Sequence, residues 1–242
     1  AIQTAIGRYE ESERLYREAL DIMQAYYGPD HHEVASTMTM MAQALIYQKR
    51  FDEALVLLRK ALPIRERVYG PDHPYVATTL NELGSASMWT GETDAAVAYY
   101  NRAVDIYRSA YGNDHAFVAI ALANLASVYL DIEQYGRAES IFRDVVQRQT
   151  RALGADDVNT GIARIKLGRT LLRQGRYAEA EQETLAGYEI LTGQTDPSTN
   201  FLQAARSDLV AIYDSLGQDE KVERFHAEHS AAESEGGRGD AG

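Results

Sequence analysis

A chain of 242 residues that is 45% hydrophobic has ample material for a core, and its five prolines are too few for a linker-rich protein. Its 36 acidic against 24 basic residues leave a formal net charge of −12, which repels phosphate backbones and argues against nucleic acid as a partner. The absence of cysteine excludes disulfides, thiolate zinc sites and cysteine catalysis, and no run approaches the roughly 18 apolar residues that would span a membrane.

The chain repeats itself. Gly28, Gly70, Gly112 and Gly154 stand 42 residues apart, as do Met41, Leu83, Leu125, Leu167 and Leu209. Ala54, Ala96, Ala138 and Ala180 keep the same period, with Val222 next in the column. Tyr9, Phe51, Tyr135 and Tyr177 do so too, with Thr93 in the remaining slot. Columns in register without insertion point to a stack of like units rather than to a single folded core.

Taken in chain order, residues 1–31 read as a partial unit. Ile6-Gly7-Arg8-Tyr9-Glu10-Glu11 has the composition of a hairpin turn, so a first helix of only a few residues is expected before it and one full second helix after it. No signal peptide is visible and the first residue is alanine, so the chain is expected to be a segment of a longer protein or a processed form. Helix pairs are then expected at 32–73, 74–115, 116–157, 158–199 and 200–232.

The pair at 74–115 shows the logic. From Pro74 to about Thr90, Val76, Leu80, Leu83 and Ser87 or Met88 share one helical face, and Gly91 stops the helix. A second helix from Thr93 to Tyr111 carries Ala96, Tyr99, Tyr100, Ala103, Val104 and Tyr107, and Gly112 stops it. In the preceding link, Tyr69-Gly70-Pro71-Asp72-His73-Pro74, the glycine should supply a left-handed residue. Pro74 suits the first turn, and Asp72 is placed to cap the free amides. Ala42, Gly84, Ala126 and Gly168 in first helices face the alanine column of the second helices, so paired helices should approach closely. Tyr100, Phe142, Tyr129 and Tyr213 should fill the remaining space. The sum is about eleven helices, and the small polar stretch 233–242 reads as a disordered tail.

Leu80-x2-Leu83-Gly84, Leu122-x2-Leu125-Ala126-x2-Tyr129, Ala138-x3-Phe142 and the turn Gly175-Arg176-Tyr177-Ala178-Glu179-Ala180-Glu181 resemble the tetratricopeptide repeat. The period of 42, rather than the family's roughly 34, is similar to the longer subtype of kinesin light chains and many bacterial regulators. In that subtype a Gly-Pro-Asp-His-Pro link joins the repeats; here it stands at Gly70 to Pro74, with variants at Gly28 to His32 and Gly112 to Ala116. Leu185 to Leu191 and Ala205 to Gly217 resemble the terminal repeats of bacterial proteins that carry a eukaryotic-like serine/threonine kinase ahead of such an array. The chain itself has no glycine-rich loop, His-Arg-Asp or Asp-Phe-Gly.

The resemblance implies an all-α, right-handed superhelical solenoid of antiparallel helix pairs, in which first helices line a concave groove. It implies a module that holds a peptide segment of a partner protein and catalyses nothing. Two alternatives stand beside this: the regulatory or sensory region of a kinase whose catalytic domain lies outside this chain, and a self-assembling array that stacks through an exposed N-terminal edge. Groove positions implied by the register are Thr39, Gln43 and Tyr47; Asn81, Ser85 and Trp89; Ser127 and Asp131; and Arg169 and Arg173. Tyr47 and Trp89 would either grip apolar side chains or pack between helices, and the basic Arg169 and Arg173, exceptions in an acidic chain, would either draw an acidic segment or form a solvated helix face. The expected compartment is the cytoplasm, or the outer side of a membrane if a spanning helix precedes the segment.

Other chemistry is weaker. His31, His73 and His115 recur once per link, but stacked layers hold them roughly 10 Å apart, beyond shared metal ligation. His226 and His229, with Glu228 and Glu233, have ligand spacing but lack a third ordered ligand. Glu10, Glu11, Glu53, Glu179 and Glu181 read as solvated faces beside basic residues. Arg238-Gly239-Asp240 spells an adhesion tripeptide in a polar tail. No metal and no cofactor are expected.

Overall fold

The computed structural model describes residues 2–195 and 199–238, and among them are eleven α-helices and no strand. They are α1 (Ile2–Tyr27), α2 (His32–Tyr47), α3 (Phe51–Tyr69), α4 (Pro74–Trp89), α5 (Thr93–Tyr111), α6 (Ala116–Asp131), α7 (Tyr135–Leu153), α8 (Val158–Arg173), α9 (Tyr177–Thr192), α10 (Thr199–Ser215) and α11 (Asp219–Arg238). Two compact units emerge, Ala1–Leu125 and Ala126–Gly242, the division falling within α6. In each unit helices pack against their neighbours in sequence, and first helices also touch first helices, α2 with α4 and α8 with α10.

Two columns of positive φ set the turns. Gly70, Gly112 and Gly154, which end second helices, have φ of 90°, 86° and 104° with ψ of 155°, 166° and 163°. This is not the left-handed helical region expected for the link, because ψ is extended; it is a region essentially reserved for glycine. The other column lies just past the first helices. There Lys49, Gly91, Glu133, Gly175 and Gly217 all adopt φ between 60° and 81°. Two of the five are not glycine, so this turn tolerates the small cost of a left-handed side chain.

The link histidines have a structural job that the sequence reading gave to Asp72. His31 Nδ1 accepts from the Glu33 amide at 3.3 Å, His73 Nδ1 from Tyr75 at 3.1 Å and His115 Nδ1 from Phe117 at 3.2 Å. One repeat on, Asp157 does the same for Asn159 at 2.8 Å. Each histidine is therefore the N-cap of a first helix, satisfying an amide that has no intrahelical acceptor. The last tyrosine of the preceding helix stacks on each ring: Tyr27 on His31, Tyr69 on His73 and Tyr111 on His115, with centroids 4.3, 4.9 and 4.4 Å apart.

Close helix crossings follow from the small residues. Ala54, Ala96, Ala138 and Ala180 have no exposed surface. A methyl group placed on Gly84 would lie 2.8 Å from the Tyr100 ring. In the second unit the approach is of backbone to backbone: a Cβ on Gly187 would stand 2.5 Å from Gly161 O, and one on Gly168 would meet Thr184 and Ala180 O. Around these crossings Val34, Ala35, Met38, Ala61 and Ile64 form a core in the first unit. Ile165, Leu191, Leu209, Tyr213 and Phe225 form part of one in the second. Tyr100, Phe142 and Tyr213 are buried as expected, while Tyr129 is only half-buried, with Arg137 over its ring.

Buried acids recur three repeats apart. Glu13 is bonded by Arg17 and Arg50, and Glu139 by Gln174 and Arg176. Burial alone would raise both carboxyl pKa values, but these bonds outweigh it and hold them below the usual value. Where the column holds Leu55 or Val97, the matching turn position carries Glu92 or Gln134 rather than arginine.

At the ends the structure departs from the sequence reading. There is no hairpin turn at residues 6–11, because α1 runs unbroken from Ile2 to Tyr27. At the other end α11 continues helically to Arg238, past the Glu233 at which a polar tail was expected to begin. Residues 239–242 lie outside the described residues, as do the side chains of Glu10, His229 and Glu233.

The capping role predicts that His73→Ala lowers stability by roughly 1 kcal/mol in urea titration, whereas His73→Asp, which copies Asp157, leaves it unchanged or higher. The crossings predict a contrast between glycines. Gly187→Ala should cost about 1–3 kcal/mol through overpacking. Gly136→Ala in α7, where an added methyl meets nothing within 4 Å, should gain up to about 1 kcal/mol in the same titration.

Candidate partner-binding surface

Each first helix buries a broad face and leaves a narrow stripe. On α2 the buried Val34, Ala35, Met38, Met41, Ala42 and Leu45 leave Ser36, Met40, Gln43 and Tyr47 at the surface. On α4 the corresponding positions are Thr78, Glu82, Ser85 and Trp89. Spacings of three and four keep such a stripe on one side of a helix.

In the first unit the stripe is mainly apolar and aromatic. Met40, Tyr47 and Trp89 are 46%, 62% and 64% exposed. Trp89 serves two roles, for one ring face stacks on Phe51 of α3 at 5.4 Å and 8° while the rest faces out. Gln43 is exposed and Ser85 half-buried, the latter bonded to the Tyr100 hydroxyl. Thr39 does not reach the surface: it is 5% exposed and its hydroxyl donates to Ala35 O at 2.9 Å. Asn81 is half-buried and accepts from Asn124 Nδ2 at 3.1 Å.

The register of that column was one residue off. Counting back from Tyr47, position 40 is seven residues away and position 39 is eight. Seven residues of helix fall about 20° short of two full turns, and eight overshoot by about 80°. The column one residue on is Met40, Glu82 and Asn124 in the first unit, and Lys166 and Asp208 in the second; Met40 is exposed, Glu82, Asn124 and Lys166 are half-buried, and Asp208 is buried. Glu82 is half-buried, and burial pushes its carboxyl pKa up against the bond from Asn81.

In the second unit the stripe is charged, and much of its charge is already matched. Arg169 Nε donates to Asp208 Oδ2 at 2.9 Å and Oδ1 at 3.2 Å, so this expected anchor for a partner's acid has an acid of its own. Burial raises the Asp208 pKa despite Arg169. Lys166 Nζ donates to Ser127 Oγ at 3.1 Å, and burial followed by the nearby Arg169 lowers its pKa. Partial burial of the Asp131 carboxyl raises its pKa against the pull of Lys166 and Arg169. Arg173 is exposed and, among the described residues, makes no hydrogen bond or ion pair. It lines a polar cleft with Asp131, Glu133, Tyr135, Arg169, Ser207 and Asp208. Arg164 and Arg176, basic neighbours in sequence, are matched by Glu183 and by Glu139 with Glu179.

Among the described residues no three histidine or acidic side chains gather as a metal site, and no helix is long and apolar enough to cross a membrane.

Solved structures share this architecture. BtubC (BKLC) from P. vanneervenii is 20% identical and superposes with a TM-score of 0.73, over 97% of this chain and 91% of that one. The nearly identical TPR-like repeats of a Podosopora anserina kinesin light chain are 19% identical with a TM-score of 0.69, over 85% and 97%. Aspartyl phosphate phosphatase F from Bacillus subtilis is 17% identical with a TM-score of 0.70, over 87% of this chain and 53% of that protein. These are likenesses of fold. No curated protein matches the chain. The fold is that of a scaffold for protein–protein interaction. A sequence profile of the tetratricopeptide repeat matches residues 1–67, 39–86, 75–151 and 124–192, so the chain belongs to the tetratricopeptide repeat family.

Proposed function

We propose that this chain holds a segment of a partner protein along the first-helix stripe of its first unit. The observation that carries the reading is the set of large side chains left exposed on two touching helices, Met40 and Tyr47 on α2 and Trp89 on α4. Exposed aromatics on rigid helices lose little freedom on binding and make strong anchors. The stripe has no basic residue at its surface columns, so the apolar anchors dominate there. In the second unit Arg173 is the cation left to meet a partner's acid, since Arg169 is held by Asp208.

A random peptide library selected on the protein tests this. Tyr47→Ala with Trp89→Ala should weaken the selected peptides about thirtyfold, an effect of about 2 kcal/mol that changes little with salt. Helical circular dichroism should stay intact. Equal binding by the double variant would sink the assignment.

A second reading is self-association through α1. Ile22 is 68% exposed, although Ile64 and Ile106 in the same column are 5% and 3% exposed. Ile64 packs in a core with Val34, Ala35 and Met38 of α2, whereas Ile22 lies open among the described residues. Sedimentation equilibrium should then show a dimer that forms with rising concentration and is lost in Ile22→Glu. A mass that stays monomeric throughout would discard this reading.

A further inference from the structure

The turn just past a first helix carries glycine at Gly91, Gly175 and Gly217, and the two departures with positive φ are Lys49 and Glu133, at 60° and 61°. A side chain in the left-handed region costs backbone energy that glycine does not. Both departures border a cleft. Lys49, Phe51 and Trp89 line one in the first unit, and Glu133, Tyr135 and Arg173 line one in the second. Each member of the second set stands two repeats beyond its counterpart in the first. The volumes agree as well, about 490 and 470 Å³, and both fall within the range of ligand sites. The repeat therefore opens a cleft at the same place twice. The lining changes character, from Lys49 and Trp89 to Glu133 and Arg173, so the chemistry of the second cleft is not imposed by the fold.

That second cleft holds opposite charges that do not close on one another. Arg169 within it is already held by the buried Asp208 of α10. Asp131 at the end of α6, Glu133 in the turn that follows and Arg173 on α8 are all exposed, so a ligand reaches them without any opening of the fold. Among the described residues none of these three side chains makes a hydrogen bond or an ion pair. Asp131 feels the charges of Lys166 and Arg169, but those two bond to Ser127 and Asp208 instead.

The local charges balance, with Asp131, Glu133 and Asp208 against Lys166, Arg169 and Arg173, although the chain as a whole carries −12. A ligand of one sign gains little from such a balance, because each attraction is offset by a repulsion of similar size. A ligand with both signs in complementary order gains twice, from a cation beside Asp131 and Glu133 and from an anion beside Arg173. Asp131 and Arg173 also share the repeat column of Tyr47 and Trp89, the exposed anchors of the first unit's stripe. We infer that this cleft receives two neighbouring, oppositely charged side chains of a partner protein's docked segment, the basic one at Asp131 and Glu133 and the acidic one at Arg173.

The inference rests on Arg173 as the receptor for a partner's acid, proposed above, and adds a required base beside that acid. A wholly acidic segment would meet Asp131 and Glu133 as well as Arg173, and would be repelled there.

Four end-blocked peptides test this: Lys-Gly-Glu, Glu-Gly-Lys, Glu-Gly-Glu and Lys-Gly-Lys. The protein is the full chain labelled with ¹⁵N-arginine, in which the Nε–H signal of Arg173 is the one lost in Arg173→Lys. At constant ionic strength one of the two mixed peptides should shift this signal saturably and bind about fivefold more tightly than either peptide of a single sign. Asp131→Asn with Glu133→Gln should turn the preference toward Glu-Gly-Glu. Glu133→Gly, which gives the turn the residue found at Gly91, Gly175 and Gly217, should leave the melting temperature no lower and weaken the mixed peptide about threefold. The inference is overturned if Glu-Gly-Glu binds the wild type as tightly as the better mixed peptide, which would leave Arg173 a plain receptor for acids. Equal binding of Lys-Gly-Lys would make the cleft an acidic patch and refute it too. So would a preference for the mixed peptide that survives in the Asn and Gln variant, or free glycine acting at lower concentration than any peptide. If none of the four moves the signal, the reading of Arg173 falls with the inference, while the first unit's stripe is judged separately by the Tyr47 and Trp89 variants.

Discussion

The architecture depends on how closely two helices of a pair can approach. At Gly168 and Gly187 the distance is so short that a single methyl group would meet backbone atoms of the facing helix. At Gly84 the facing atom belongs instead to the Tyr100 ring, so one crossing is closed by main chain and another by a flat side chain. Close approach fixes which face of each first helix is buried, and so fixes by subtraction which narrow stripe is left at the surface. The same geometry excludes large side chains from the alanine column of the second helices, whose members are fully buried.

The links between repeats solve a second problem, the free amides at the start of each first helix. Histidine is not among the usual capping residues, yet three take the part with Nδ1 while a tyrosine covers the ring. The ring stack explains why an aromatic cap is tolerated: Tyr27, Tyr69 and Tyr111 provide a flat neighbour from the helix just ended. Where that position is Leu153 the cap is Asp157, a shorter side chain that needs no ring beside it. The recurrence of histidine in the links thus has a local cause in backbone hydrogen bonding.

Charge is distributed differently in the two units' stripes. Met40, Tyr47 and Trp89 make the first unit's surface apolar, with the buried Arg65 of α3 beneath it. In the second unit Lys166, Arg169, Asp131 and Asp208 largely answer one another. Burial also shifts the pKa values of Lys166, Asp131 and Asp208 toward neutrality. Only Arg173 among the expected cations stands outside such pairs. A partner would meet shape and apolar area first and charge second.

Much of this was legible in the sequence because the repeat is exact in length. The columns at Gly28, Met41 and Ala54 carry local information, and helix existence, helix ends and buried faces depend on residues within a few turns of each other. For Tyr47 and Trp89 it was the resemblance that pointed to a groove column, and the structure leaves both side chains exposed. What depended on partners distant in sequence was not legible. Thr39 and Met40 differ by one step of helix rotation, and only packing against α3 and α4 decided which was buried. The Asp208 that occupies Arg169 stands 39 residues further on, and nothing in the basic run 164–176 announces it. Nothing in the sequence singles out Arg65; its burial beside Ser36 and Thr79 arises only when three helices close around it. Period and pattern by themselves determined the repeats and their family. Tertiary packing decided which charges are matched and which stay open, because matching an ion pair is a matter of distance in space rather than of spacing along the chain.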